Sequence, residues 1–321
     1  MIPPYQAIND FPYEAAIRFG SFLTIFIAIA LAEIGAPRRP LTTAKAARWR
    51  VNLAITLIDA GVARFLAPIL PVGLALLAAS RGWGVLNQLS VPYWASVLIG
   101  VLLLDLVIYL QHVMFHTLPL FWRLHGMHHT DLDIDVTSGL RFHPLEIFLS
   151  TLIKLATVAA LGIPALAVLV FEVLLNGTSM FNHGNIRLPE GFDHLLRLFV
   201  VTPDMHRVHH SVIIRETNSN FGFNFPWWDR FFGTYRPQPA MGHDGMTIGL
   251  ARFRDADALT LRYLLFLPFR RGGMAGRGDR SGGQKPDRAA DRRSSSGEGS
   301  AGTAPLGPGR SDQPPPGAQS R

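Results

Sequence analysis

Four stretches of this chain are too long and too apolar to sit comfortably in water, and they limit it to folds that pass through lipid. A helix needs about 20 apolar residues to cross a bilayer, and lipid offers no partner for an exposed backbone N–H or C=O. "FGSFLTIFIAIALAEIGA" covers 19–36, and residues 51–79 form a second long run holding Pro68 and Pro71. "VPYWASVLIGVLLLDLVIYL" covers 91–110, and Leu145 to Leu175 run on with "LGIP" (161–164) in the middle. The two prolines predict a kinked or broken second span. With 48% hydrophobic residues, the expected class is an all-α integral membrane protein with about four to five transmembrane helices. The N-terminus lacks a basic leader region, so the first run reads as an uncleaved span.

Basic residues in short loops set the orientation. The 37–50 loop carries Arg38, Arg39, Lys45, Arg48 and Arg50 with no acid, so it belongs on the cytoplasmic side. Counting forward, the third span returns to that side and delivers 111–144 there. If 145–175 crossed only once, the histidines that follow would lie across the bilayer from those that precede it. A hairpin of two short helices turning near Gly162 and Pro164 keeps them together. Downstream, "DADALTLRYLLFLPF" (255–269) reads as a helix capped by Asp255 or Asp257, lying at the membrane interface or packed under the polar domain.

From Arg271 to Arg321 there is no Phe, Trp, Tyr, Ile or Val, and Gly, Pro, Ser and Arg dominate. Such a composition cannot offset its ordering entropy, so a disordered tail is expected. The net charge of +7 comes partly from this tail and partly from the basic loop. Without an aromatic-and-basic groove pattern it does not point to nucleic acid. The expected organisation is membrane helices and the basic loop over 1–90, a catalytic portion over 91–250, an interfacial helix over 251–270 and the tail over 271–321. The chain has no cysteine, which excludes thiolate-held zinc, iron–sulfur clusters and thiolate haem.

Histidines carry the chemistry. "QHVMFH" supplies His112 and His116 at i, i+4 on one helical face, and "RLHGMHHT" and "TPDMHRVHHS" each contain HxxHH: His125, His128, His129 and His206, His209, His210. In each triplet the outer two rings share a face and the middle one points about 100° away, so one short segment can serve two metals. Eight imidazoles exceed what one tetrahedral zinc needs and suit two metals with five or six ligands each. There is no HExxH and no Glu-x-x-His pair, which argues against a zinc protease and a ferritin-like carboxylate centre. His194 and His243 read as solvated or core histidines.

These segments together resemble the fatty acid hydroxylase/sterol desaturase superfamily of membrane di-iron enzymes, in particular its bacterial sterol desaturase branch. The resemblance runs from about Asp105 to Tyr235 through "DLVIYLQHVMFH", "FWRLHGMHHT", "TSGLRFHPLE", "NHGNIRLP", "TPDMHRVHHS" and "NSNFGFNFPWWDRFFGTY". Val113 departs from a common Arg, and Phe221 from a common Tyr. The resemblance implies that the eight box histidines ligate two irons, that His183 in "NHGN" is a further ligand, and that His143 in "RFHPLE" is either a ligand or a partner of one. It implies an O2-dependent oxidase that hydroxylates or desaturates a lipid C–H (sterol-like, hopanoid, carotenoid or fatty-acyl), or else an ether-lipid monooxygenase. It also implies a multi-pass protein of a bacterial inner membrane.

Neutral rings leave most of the metal charge uncompensated, so carboxylates are expected to accept the far N–H of each ring. Asp105 and Tyr109 lie at i−7 and i−3 from His112. Glu172, Asn176, Ser179 and His183 fall on one stripe. Asp204 and Asp229 are further candidates, and Arg141 and Glu146 read as an ion pair. Trp227 and Trp228 read as interface anchors. With no cysteine and no dinucleotide fingerprint, reducing equivalents must come from a separate donor, a ferredoxin or a cytochrome-b5-like protein with its reductase. The basic loop is a possible dock for it. A membrane metal-binding or transport protein is the non-enzymatic alternative; it would spread its histidines along a path through several spans.

Overall fold

The computed structural model describes residues 13–66, 71–256 and 259–270; the expected tail, 271–321, and Asp257 lie outside them. Among the described residues every named element is helical, with two isolated antiparallel bridges, Pro37 to Ile186 and Ser211 to Ile248. Helices of six residues or more are α1 (Glu14–Gly35), α2 (Lys45–Leu66), α3 (Pro71–Arg81), α4 (Tyr93–Thr117), α5 (Pro119–His125), α6 (Pro144–Leu161), α7 (Ala165–His183), α8 (Glu190–Leu196), α9 (Pro203–His209) and α10 (Leu261–Phe266).

Helices α1, α4, α6 and α7 are long and apolar enough to cross a membrane. Within the run 51–79, α2 ends at Leu66 and α3 begins at Pro71; Pro68 lies outside the described residues. The chain enters α2 beside Asp131, and after α3 Trp83 O and Asn87 crowd Gly162, so the two pieces together traverse the bundle. Helix α4 continues seven residues past the last apolar residue of its run. His112 and His116 therefore sit on this helix, at the spacing that places both rings on one face. The hairpin is present, but its helices are not short: α6 has 18 residues and α7 has 19. At about 1.5 Å per residue each nearly matches a bilayer core. Gly162, at φ +67°, takes the left-handed turn that ends α6, and Pro164 precedes α7.

Val101, Leu104 and Ile108 of α4 share a buried cluster with Ala167, Val168 and Phe171 of α7. Lipid tails compete for such side chains as well as protein does, so close van der Waals fit holds these helices together. This up-and-down course brings the end of α4, the start of α6 and the end of α7 to one end of the bundle. The 37–50 loop lies at that end too: Arg38 N–H donates to Asn185 O at 3.0 Å.

A buried charge network closes this end. Arg48 grips Asp131 through two bonds of 2.7 and 2.8 Å and reaches Asp135 at 2.6 Å. Asp133 accepts from the backbone N–H groups of Thr42 and Thr43 at 2.9 and 2.8 Å. Arg141 donates to Asn52 at 3.1 Å and to Thr130 at 2.5 Å; its expected pairing with Glu146 does not occur. Arg38 pairs with Asp204 and Asp244, and Lys45 with Glu33. Most of the loop's cations are thus spent inside the protein. Burial works to raise the pKa of Asp131, yet the Arg48 and Arg141 guanidiniums hold it below the usual carboxylate range. Asp131→Ala would leave Arg48 buried with one of its two carboxylate partners gone, a change that costs about 3–5 kcal/mol for a broken buried pair. Thermal unfolding in detergent checks this; a melting curve superposed on that of the wild type contradicts it.

Thr260, rather than Asp255, caps α10 by accepting from Tyr263 N–H at 3.3 Å. Leu264 and Leu267 bury against Ile55, Met127 and Phe253, while Phe266 and Phe269 face outward.

Candidate metal centre

Nine histidines converge at the polar end of the bundle, all 3% exposed or less. Helix α4 supplies His112 and His116, α5 ends on His125, and a short 3-10 turn carries His128 and His129. Helix α7 ends on His183, α9 supplies His206 and His209, and His210 follows it. Pro203 starts α9 and Thr202 caps it, which aims the third triplet inward.

The rings sort into two groups. His112, His116, His125, His129 and His209 form one, and His128, His183, His206 and His210 form the other; within each, one ring nitrogen per residue lies within 4.8 Å of the rest. The outer pair of the first triplet joins the five-membered group and its middle ring the four-membered one. The second triplet does the reverse. This interleaving follows from the 100° offset in HxxHH. His143 stands outside both groups: its Nδ1 accepts from Leu145 N–H as the cap of α6, and its Nε2 donates to Leu265 O at 3.1 Å. His194 is exposed, and His243 is buried 3.6 Å from Asp204, also outside both groups.

Hydrogen bonds fix the tautomers. The Nδ1–H groups of His112, His128, His183 and His209 donate to the backbone carbonyls of Phe221, Arg141, Ser179 and Ser219, at 2.8, 3.0, 2.7 and 2.8 Å. His125 Nδ1 is hydrogen-bonded to the Glu146 carboxyl at 2.7 Å. A carbonyl oxygen can only accept, so His112, His128, His183 and His209 carry their proton on Nδ1 and a bare lone pair on Nε2. Yet Nε2 of His128 lies 3.1 Å from Nε2 of His183, and Nε2 of His112 lies 3.1 Å from that of His125. The Nε2 of His209 is buried with no partner. Two lone pairs at hydrogen-bond distance, as on His128 and His183, repel unless a cation lies between them. A second proton is not that cation: burial, then neighbouring imidazoles, holds the pKa of His125, His129, His206, His209 and His210 well below normal, and His128 shifts the same way. Metal ions with borderline preference for imidazole fit both groups.

None of the carboxylates expected beside the rings touches one. Asp105 accepts from Trp228 Nε1 at 2.8 Å, which makes Trp228 a tie to α4 instead of an interface anchor. Tyr109 bonds to the Thr234 hydroxyl at 2.9 Å. Glu172 pairs with Lys154 and Arg18, and Asp204 with Arg38 and Arg207. Asp229 accepts from Phe221 and Gly222 N–H at 2.8 Å each and so braces the loop whose carbonyl holds His112. The carboxylate that does touch a ring is Glu146. Its place in "RFHPLE" was visible, but the neighbouring Arg141 drew the wrong pairing. Glu146→Gln is expected to weaken metal binding about 10- to 100-fold, the usual cost of losing an orienting partner. Chelator competition measures it, and unchanged affinity contradicts it.

Gly139 lets the 138–140 turn lie against α7, since a Cβ there would come within 2.4 Å of Ser179 O and 3.2 Å of His183 Nδ1. Beside His112 and His125 opens a cavity of about 520 Å3 between the spanning helices, bordered by Phe22, Ile108, Phe142 and Phe223. Its volume lies in the usual range of about 300–1,000 Å3 for small-molecule sites.

Residues 97–234 match the family model described as fatty acid hydroxylase, an interval that contains all nine histidines. An ornithine lipid hydroxylase of Rhizobium tropici is 30% identical over 167 residues, 50% of this chain and 48% of that protein. The alkylglycerol monooxygenase of Xenopus tropicalis is 24% identical over 252 residues, 75% of this chain and 51% of that protein. Cholesterol 25-hydroxylase of Rattus norvegicus is 29% identical over 147 residues, 45% and 48% of the two chains. The chain thus spans about half the length of the curated relatives it matches. No solved structure matches.

Proposed function

The chain belongs to the fatty acid hydroxylase superfamily, and we propose that it is a membrane-bound di-iron oxidase that uses O2 to hydroxylate or desaturate an unactivated C–H bond of a lipid. The observation that carries this reading is the pair of histidine groups, in which the bare Nε2 atoms of His128 and His183 face one another, with His112 and His125 bordering an apolar-walled cavity. Two irons held there would supply O2 activation and removal of a hydrogen atom from carbon. The protein's own part is positional. Phe221, Arg141, Ser179 and Ser219 carbonyls and Glu146 hold the rings so that their lone pairs converge. The cavity between the helices offers a lipid chain a largely apolar path toward His112 and His125. No protein base or nucleophile is required.

The positive-inside rule supports a cytoplasmic position for the histidine groups, because the 37–50 loop sits at the same end of the bundle. The lack of cysteine, and with it of an iron–sulfur centre in these 321 residues, supports delivery of electrons by another carrier, a ferredoxin or a cytochrome-b5-like protein with its reductase. A transport role is disfavoured by the gathering of nine rings at one end instead of along a path through the spans. An ether-lipid substrate remains the second reading, favoured by the long match to alkylglycerol monooxygenase.

The test is anaerobic loading with ferrous iron, then O2 and a chemical reductant with a membrane lipid extract. The expected result is a lipid that gains one oxygen or loses two hydrogens, depending on O2 and on His209. Absence of any such product across acyl, sterol-like and glyceryl-ether lipids counts against the reading.

A further inference from the structure

Helix α8 is built the wrong way round for water. Phe192, Leu195 and Phe199, at i, i+3 and i+7 on one face, are 53, 58 and 57% exposed. Asp193 and Arg197, turned the other way, are buried and paired at 2.6 Å. The turn that ends the helix carries Phe199 along, its N–H donating to Leu196 O at 3.0 Å. A water-facing helix does the reverse: it hides its large apolar side chains and leaves its ions solvated. The segment 225–232 extends this face. Trp227 Nε1 donates to Leu198 O at 2.7 Å, and Arg230 donates to Arg197 O at 2.8 Å. Beside them Phe231 is 79% exposed, and Phe232 is exposed too. A contiguous apolar face of this kind on a folded protein marks a surface that meets something other than water.

Its depth says what covers it. Trp228 Nε1 donates to Asp105 at 2.8 Å, and Phe232 stacks on Tyr109 with ring centres 5.4 Å apart. Tyr109 also bonds to the Thr234 hydroxyl. Asp105 and Tyr109 belong to the apolar run of α4, which ends at Leu110 and turns Leu98 and Leu110 outward. Asp105 stands five residues inside the end of that run, a depth of about 7.5 Å. This falls in the range of about 5–10 Å to which interfacial helices sink. The segment therefore lies beside a spanning helix at a level where that helix meets acyl chains. We propose that α8 and residues 225–232 form a second lipid-contacting surface, seated in the boundary of acyl chains and headgroups in the leaflet nearest the histidine groups. This rests on α4 crossing the membrane and not on metal or turnover. A second lipid contact beside the spans fixes the depth and tilt of the histidine groups, and with them the height in the leaflet at which His112 and His125 meet a chain.

The chain has no cysteine, so a single one can be introduced and labelled cleanly. The 321-residue chain carrying Phe199→Cys or Phe231→Cys, each with an NBD fluorophore, is placed in phosphatidylcholine nanodiscs. Leu98→Cys, on the apolar run of α4, and Arg215→Cys, at an exposed charged position, serve as references. Quenching is read with iodide in the water and with phosphatidylcholine brominated on its acyl chains. Both test positions are expected to lose most of the iodide quenching seen at Arg215→Cys and to gain bromolipid quenching like that at Leu98→Cys. Leu195→Cys takes the place of either variant that does not fold. Iodide quenching equal to that at Arg215→Cys overturns the proposal. Protection from both quenchers overturns it as well, because a second copy of the chain, and not lipid, then covers this face.

Discussion

His128→Ala and His209→Ala are each expected to reduce O2-dependent turnover to background while the chain remains folded. The two residues serve different groups. Removing His128 leaves three imidazoles in the four-membered set; removing His209 leaves four in the five-membered set. Losing an orienting partner alone costs about 10- to 100-fold in metal affinity, and losing a ligand must cost more. His128→Ala should therefore lose iron from the smaller group outright. His209→Ala should retain iron more weakly and fail in turnover. His143→Ala is the contrast: it removes a helix cap worth about 1 kcal/mol and keeps the full iron content, because His143 bonds to Leu145 and Leu265 and belongs to neither group. Metal analysis of the three variants with turnover on the same samples checks the set. Iron loss in His143→Ala equal to that in His128→Ala contradicts the assignment of ligands.

Acid is expected to destabilise the metal-free chain strongly. Burial keeps His125, His128, His129, His206, His209 and His210 neutral in the folded state well below their ordinary pKa. The unfolded chain protonates the same residues near pH 6.5, so below that pH it binds more protons than the folded one. Stability is then full above about pH 6.5 and falls as the pH drops, by up to about 1.4 kcal/mol per pH unit for each such histidine. In the loaded protein the same protons compete with metal, and iron release should accompany the loss. Melting temperatures of the metal-free chain between pH 8 and pH 5 measure the first effect. A flat profile contradicts it.

The membrane helices and the histidine boxes were legible because each depends on residue type at a fixed spacing. Lipid demands uninterrupted apolar runs, and metal demands imidazole. What holds the rings was not legible. Four of the acceptors are backbone carbonyls, those of Arg141, Ser179, Ser219 and Phe221, which every residue type supplies and no composition marks. Hydropathy ends the apolar run at Leu110, whereas the helix runs on to Thr117, as the i, i+4 spacing of His112 and His116 requires of two rings on one face. Arg48 read as a charge in a cytoplasmic loop. Its partners Asp131 and Asp135 lie 83 and 87 residues away, a pairing only the tertiary fold creates. Glu172, on the stripe with His183, met Arg18 and Lys154 from neighbouring helices first.

The most direct measurement is the iron content of the 321-residue chain after anaerobic loading with ferrous iron and removal of excess metal. Two irons per chain is the predicted value, one for each histidine group. A chain that retains one iron or none under these conditions contradicts a dinuclear centre, however well the rings converge.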